Sequence, residues 1–447
     1  MSSPILTYGS VRNLVPRRAT RAHVVTLLGA ITLTANVFAI EAPLTLTEAQ
    51  HRAIERSRQL PSQDFAVSAN REMAIAAGQF PDPVLKIGVD NLPINGPDQF
   101  SLTNDFMTMR RIGLMQEITR PDKRQLRADR FEGVAQKTLA ERNVTAAAIE
   151  RETALAWLDL YYAQQMVTVV AEYGQQAKFE TQATEGEYRG GRSSQAEIFA
   201  ARSTLAMFDD RASEIQRRVL NAKIMLARWI GDAVDMPLAE KPATDVIHLD
   251  PATLDTQLTH HPQIAVVTRE IKVAETEVNL AQANKKPDWT VEVAYQQRGS
   301  PYSNMVSVGI SVPFQLDQNN RQDRELSSKR AILEQAKAER DEMLREHVAQ
   351  TRTMINEWEN NRERLVRYEH ELIPFASERA VASLAAYRGG KATLTEVLAA
   401  RRNEIDVRIQ ALQLQADTAR LWAQLNFLFP TDAVAAHTAV DTGEGTK

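Results

Sequence analysis

Few residues in this chain are spaced to do chemistry. The adjacent pair His260-His261 stands beside Pro262 with no carboxylate or thiolate close by in sequence, a setting that suits helix surface better than a zinc site. Met107, Met109 and Met115 carry thioethers of the type that bind Cu(I), although in a strand-like segment packing or lipid contact is the simpler use. None of the 447 residues is cysteine, which excludes disulfides, thiolate metal sites, thiol catalysis and a lipid-modified N-terminal cysteine. A Gly-rich phosphate loop, a serine elbow and a histidine-carboxylate metal motif are all missing from the sequence. We therefore expect no catalytic residues, no metal ligands and no cofactor.

What the chain does concentrate is a turn, written twice. Tyr188-Arg189-Gly190-Gly191-Arg192 runs on to Glu197-Ile198 and Ala200-Ala201-Arg202. The same string returns as Tyr387-Arg388-Gly389-Gly390-Lys391, Glu396-Val397 and Ala399-Ala400-Arg401. Paired glycines let a helix end and the chain reverse. Glu197 and Glu396 then fall at the start of the next helix, where its dipole favours a carboxylate. Pro61 with Pro262, Pro81-Asp82 with Pro287-Asp288, and Gly113 with Gly309 repeat in the same order. Repeats this long point to one body built from two similar halves.

Each half reads helix, strand pair, very long helix, tight turn, long helix. Thr45 and Glu48 form a capping box ahead of a helix over Ala49–Ala77, and Asp250 with Pro251 opens its counterpart over Ala252–Ala283. After Pro287 the period becomes two: Trp289, Val291, Val293 and Tyr295, then Val306, Val308, Ile310, Val312 and Phe314, alternate with small or polar residues. Leu85, Ile87 and Val89 begin the matching hairpin. Its return strand, Phe106 to Ile118, changes phase at Arg110-Arg111, as a bulge would. An ordinary half-buried sheet is one reading of these strands, but helices this polar offer no apolar slab to cover it. From Lys123 to Glu187 and from Arg321 to Ala386 the chain reads as continuous helix of about 100 Å, with Pro374 the one interruption. Leu333, Ala336, Met343, His347, Met354, Trp358, Leu365, Tyr368 and Leu372 mark a coiled-coil seam, which continues on the returning helix from Leu398 to Ala423.

Arg12, Arg17, Arg18 and Arg21 precede an apolar stretch that ends in Val37-Phe38-Ala39, the pattern of an export signal; a membrane anchor is the other reading, but threonines and an asparagine break the run. Its removal takes the formal charge from −4 to about −8, which argues against nucleic acid. No later segment is apolar enough for a membrane helix, so membrane entry would require a closed β-barrel. Four strands cannot close one alone, whereas three chains supply twelve.

At this point the sequence resembles the TolC-type outer-membrane efflux ducts. The doubled turn carries the resemblance over nearly the whole mature chain. Pro81-Asp82-Pro83, Asp90-Asn91-Leu92-Pro93, Asp105 to Met109, Gly113 to Glu117 and Pro121-Asp122-Lys123-Arg124 are similar to the heavy-metal branch serving resistance-nodulation-division pumps. The resemblance implies a mainly α fold with a small β part: long antiparallel helical hairpins and two β-hairpins per protomer, trimerising into a 12-stranded β-barrel and a periplasmic α-helical barrel. The divisions expected are a signal peptide at 1–39, a first repeat at 40–231 (β-hairpin 83–118, turn 188–192) and a linker at 232–250. A second repeat at 251–429 (β-hairpin 288–315, turn 387–391) and a flexible tail at 430–447 complete them. It implies a homotrimer in the bacterial outer membrane, in contact with its lipid, with its tunnel in the periplasm. The expected partners are a periplasmic adaptor (membrane fusion) protein and an inner-membrane pump.

By the same resemblance Tyr387 and Glu396, with Tyr188 and Glu197, narrow the closed periplasmic mouth, and Glu396 forms an acidic ring that attracts cations. A solvated helix-start carboxylate is the plainer reading of Glu396. Gly190, Gly191, Arg192, Ser193, Gly389, Gly390, Lys391 and Thr393 are the implied adaptor contacts. Here the acid is Glu rather than the usual Asp, Ala399 stands where a second acid is common, and Ala392 replaces a latching basic residue. A duct for drugs or proteins, and a periplasmic coiled-coil adaptor, are the competing functions; none of these is an enzyme.

Overall fold

A computed structural model describes residues 42–191 and 194–430; the expected signal segment, Arg192, Ser193 and the tail from 431 onward lie outside the described residues. In chain order the elements are α1 (Leu46–Arg56), α2 (Gln59–Ala77), β1 (Val84–Asp90), β2 (Met109–Ile118), α3 (Pro121–Arg189) and α4 (Gln195–Ile230). After a 3-10 turn at Gly231–Asp235 come α5 (Leu254–Leu258), α6 (Pro262–Asn284), β3 (Trp289–Gln297), β4 (Met305–Ser311), α7 (Gln322–Arg367), a π-turn (Tyr368–Leu372), α8 (Ile373–Arg388) and α9 (Leu394–Asn426).

Three prolines shape these helices, because a proline ring excludes the carbonyl four residues earlier from the helical ladder. For Pro61 that position is Ser57, which turns extended (φ −58°, ψ 133°) and accepts from the Gln59 N–H through Oγ at 3.2 Å. The single helix expected over Ala49–Ala77 is therefore two, α1 and α2. Thr45 does cap α1, its Oγ1 accepting from the Glu48 N–H at 3.1 Å, but the Glu48 carboxylate turns to Arg52 (2.6 Å), so only one half of the expected capping box forms. For Pro262 the excluded position is Leu258, where α5 stops. The start expected at Pro251 is also corrected: Asp250 holds a turn, accepting from the Ala252 N–H and the Thr253 hydroxyl, and helix begins only at Leu254. Pro374 faces His370, and there the helix widens into the π-turn without breaking. That turn also rotates the expected seam: Ala336 and Trp358 are buried and Leu333 to Tyr368 otherwise half-buried, but Leu372 is exposed.

The strands form one antiparallel sheet in the order β1-β2-β3-β4. Pairing runs without interruption along β2 on both sides, so the expected bulge at Arg110-Arg111 is absent. The phase change has another cause. Phe106 to Thr108 precede the strand, while Arg111 turns to the polar face, where it binds Glu292. Leu85, Ile87, Ile112, Leu114, Val293, Tyr295, Val306, Val308 and Ile310 share the other face, and all are exposed. On the polar face Gly113 sits tight: a Cβ there would come within 2.9 Å of the Ala294 Cβ.

The helical core has its centre where Trp157, Trp358 and Trp422 meet Leu44, Leu158, Leu226, Leu254 and Leu258. Each indole N–H donates to an extended segment: Trp157 to the Leu44 carbonyl (3.1 Å), Trp358 to Thr244 (3.3 Å) and Trp422 to Val246 (2.9 Å). Leu44 also pairs in parallel with Leu238, so the segment joining the halves is bolted to the helices by backbone and indole bonds together.

Candidate functional site

The hairpin tips share a glycine turn and a helix cap. α3 and α8 end at Arg189 and Arg388, and in each glycine pair only the second residue needs glycine's freedom: Gly191 has φ +71° and Gly390 φ +69°. Ser194 and Thr393 then cap α4 and α9. Their hydroxyls accept from the Glu197 and Glu396 N–H groups, while those carboxylates accept from the Ser194 and Thr393 N–H groups at 2.9 and 2.8 Å. Both glutamates are thus committed to capping boxes. Gly190, Gly191, Gly389, Gly390, Lys391 and Thr393 are exposed at these tips.

The two tyrosines are used differently. Tyr188 is exposed, whereas Tyr387 is half-buried against Leu394, Val397, Leu398 and Ala201 and donates its hydroxyl to Glu187. That bond belongs to a ladder which the sequence reading missed. Tyr173, Glu180 and Glu187 stand seven residues apart on one face of α3 and meet, in turn, Glu404, Arg401 and Tyr387 of the second hairpin. Glu404 is 2% exposed; it accepts from Tyr173 (2.9 Å), Arg401 (3.1 Å) and Arg408 (3.2 Å). Burial alone would raise its pKa, but these donors and Ser377 outweigh burial and hold it below the usual range. Burial and Glu404 push Tyr173 up to about 12, and burial raises Glu180 against the pull of Arg401. The spacing Arg401, Glu404, Arg408 was legible as a helical ion-pair triplet, though not its burial. Above the ladder the packing is apolar, through Met166, Val170, Phe208, Ile215, Ile405 and Ile409.

The histidine pair divides, against the expectation of helix surface. His260 is exposed, but His261 is buried as the N-cap of α6, its Nδ1 accepting from the Gln263 N–H, its ring 4.5 Å from that of His347 and 5.8 Å from that of Phe429. Burial, then His347 and Arg151, lower its pKa to about 4, so the cap is neutral. No group of three or more His, Asp or Glu among the described residues is arranged to hold a metal ion. Met107 is exposed before β2, and Met109 and Met115 lie on its polar face.

Among the described residues no helix is long and apolar enough to cross a membrane, and the sheet presents an exposed apolar band on one face. Residues 253–429 match the outer membrane efflux protein family. The cobalt-zinc-cadmium resistance protein CzcC of Cupriavidus metallidurans is 23% identical over 298 residues, 65% of this chain and 69% of that protein. The outer-membrane channel OprN shares the fold with a TM-score of 0.73 at 17% identity, covering 86% of this chain and 89% of OprN. CusC, solved in studies of transmembrane channel formation, superposes with a TM-score of 0.72 at 14% identity over 85% of this chain and 92% of CusC. These matches set aside the coiled-coil adaptor reading: the chain has the fold of the outer-membrane channels OprN and CusC, and its second half matches the outer membrane efflux protein family.

Proposed function

We propose that three copies of the chain close a twelve-stranded barrel and that the duct passes heavy-metal cations, delivered by a resistance-nodulation-division pump and a periplasmic adaptor, out of the cell. The sheet carries this reading: one face presents a band of exposed apolar side chains, with Arg110, Gln116 and Gln297 toward its ends, and β1 and β4 leave two unpaired edges that only further strands can satisfy in lipid. The relation to CzcC supports the cation cargo. In this scheme the repeats at 40–231 and 251–429 each supply one β-hairpin and one helical hairpin. The tips, with Arg192 and Ser193, form the periplasmic end where an adaptor docks, and Tyr387, Glu396, Tyr188 and Glu197 line the mouth.

Export of this kind needs no tight site, since strong binding would slow passage. The protein extracted in detergent should run as a heat-resistant trimer and conduct in planar bilayers. Deletion should sensitise cells to divalent metals above drugs and detergents. A monomer silent in bilayers would end the barrel reading, and sensitivity confined to drugs would end the metal reading.

A further inference from the structure

The two β-hairpins are copies in register as well as in sequence. Lys86 of β1 lies opposite Gly113 of β2, and the matching positions of the second hairpin put Glu292 of β3 opposite Gly309 of β4. Equivalent positions thus carry opposite charges, each facing a glycine. Within one chain the Lys86 side chain crosses the bare backbone at Gly113 and bonds Glu292 at 2.8 Å. Arg111 binds the same carboxylate, and Asp90 lies 3.7 Å from Arg111.

The glycines differ in a way that one chain does not explain. Gly113 is enforced by Ala294, but a Cβ at Gly309 or at Gly88 meets nothing within 4 Å. Gly309 is on the edge strand β4 and Gly88 on the edge strand β1. If the junction between two chains copies the β2–β3 junction, as the second hairpin copies the first, every pair can be transposed. Gly113 opposite Ala294 becomes Gly309 opposite Gly88 of the partner subunit. Met115 opposite Glu292 becomes Ser311 opposite Lys86 of the partner subunit, and Arg111 opposite Gln296 becomes Ser307 opposite Asp90 of the partner subunit.

We infer that the edge of β4 docks on β1 of a second copy in this register, and that Glu292 reaches across Gly309 to Lys86 of the partner subunit as Lys86 reaches across Gly113 within its own chain. The site is incomplete in one protomer. Closed around three copies, it becomes a girdle on the polar wall of the barrel in which lysine and glutamate alternate with a glycine between each pair. Opposite charges on neighbouring strands favour this register, and a slip by one residue would turn the charges into lipid. The inference rests on the three-copy barrel proposed above.

The absence of cysteine gives a clean background for crosslinking. Ser307→Cys combined with Asp90→Cys should give intersubunit crosslinks with a short bifunctional methanethiosulfonate reagent, whereas Ser307→Cys with Gly88→Cys, two residues out of register, should not. Gly309→Val should lower the temperature at which the trimer dissociates, although one protomer has room for the side chain. Glu292→Gln, which in each copy leaves Lys86 without its carboxylate and Arg111 with Asp90 alone, should shift the conductance toward anions. A heat-resistant trimer that crosslinks through the shifted pair or through neither, or that tolerates Gly309→Val, overturns the girdle and leaves the barrel standing. A wild-type protein that never trimerises overturns both.

Discussion

The two halves keep one device in common and differ in the rest. Trp157 and Trp358 hold equivalent places on the long helices, and each donates its indole N–H to an extended segment leading into its half, at Leu44 and Thr244. Toward the tips the equivalence fails. α3 is a helix of 69 residues, about 100 Å, without a break. Its counterpart carries the π-turn before Pro374, and beyond that turn presents Glu404 and Tyr387 to the first hairpin. The position matching Glu404 is Leu205, and that matching His261 is Leu60. The two halves therefore share a shape, and residues particular to the second half supply the polar contacts that tie it to the first.

The largest way to break this difference is to undo it. Glu404→Leu gives the second hairpin the residue of the first, but takes this acceptor from Arg408 and the Tyr173 hydroxyl and leaves Arg401 with Glu180 alone. Removing one member of a buried charge cluster costs about 3–5 kcal/mol, and the partial exposure of both arginines places this case at the low end. Thermal unfolding should show the loss, whereas Leu205→Ala, at the equivalent half-buried site, should cost about 2 kcal/mol. Equal losses at the two sites would deny the ladder its role.

Acid should expose the second asymmetry. His261 has its pKa lowered to about 4 from 6.5, so it resists protonation when folded and accepts a proton once unfolded. Its contribution is present above pH 6.5 and is lost as pH falls toward 4, a change of at most about 3 kcal/mol. His261→Asn keeps a capping oxygen and removes the titration. Stability measured from pH 7 to 4 should fall less in the variant than in the parent, and a parallel decline would show that other groups control it. Leu60, in the first half, has no such dependence.

The shared device should respond alike in both halves. Trp157→Phe and Trp358→Phe each remove a hydrogen bond to a backbone carbonyl, buried at Leu44 and part-buried at Thr244, and some packed volume, for about 2 kcal/mol apiece in thermal unfolding. A large effect at one site and none at the other would show that the two segments are not held equivalently.

These comparisons also mark what the sequence revealed. The doubled Tyr-Arg-Gly-Gly turn, the period-two strands and the long proline-poor segments were legible because each rests on local spacing. The helix breaks at Ser57 and Leu258 were not marked by their own residues; they follow from prolines four positions later. The bulge read at Arg110-Arg111 came from treating charge as a signal of phase, whereas Arg111 points to the polar face for the sake of Glu292, on a strand far away in sequence. Glu404 and His261 were missed for one reason: burial of a polar group is decided by partners from other helices, and no spacing along one helix announces it.

The smallest effects lie at the tips, where they separate a cap from a gate. Ser194→Ala and Thr393→Ala each remove a capping hydroxyl, and each should cost about 1 kcal/mol of stability. Glu396→Gln is more selective. A glutamine amide oxygen accepts from the Thr393 N–H as the carboxylate does, so the capping box survives while one charge leaves each copy of the chain. Stability should fall by only a few tenths of a kcal/mol, through the lost interaction with the helix dipole. If Glu396 also forms the acidic ring at the mouth, the cation preference of single channels should drop by a clear margin in this variant and stay unchanged in Thr393→Ala. Unchanged selectivity in both would leave Glu396 as the first turn of a helix and nothing more.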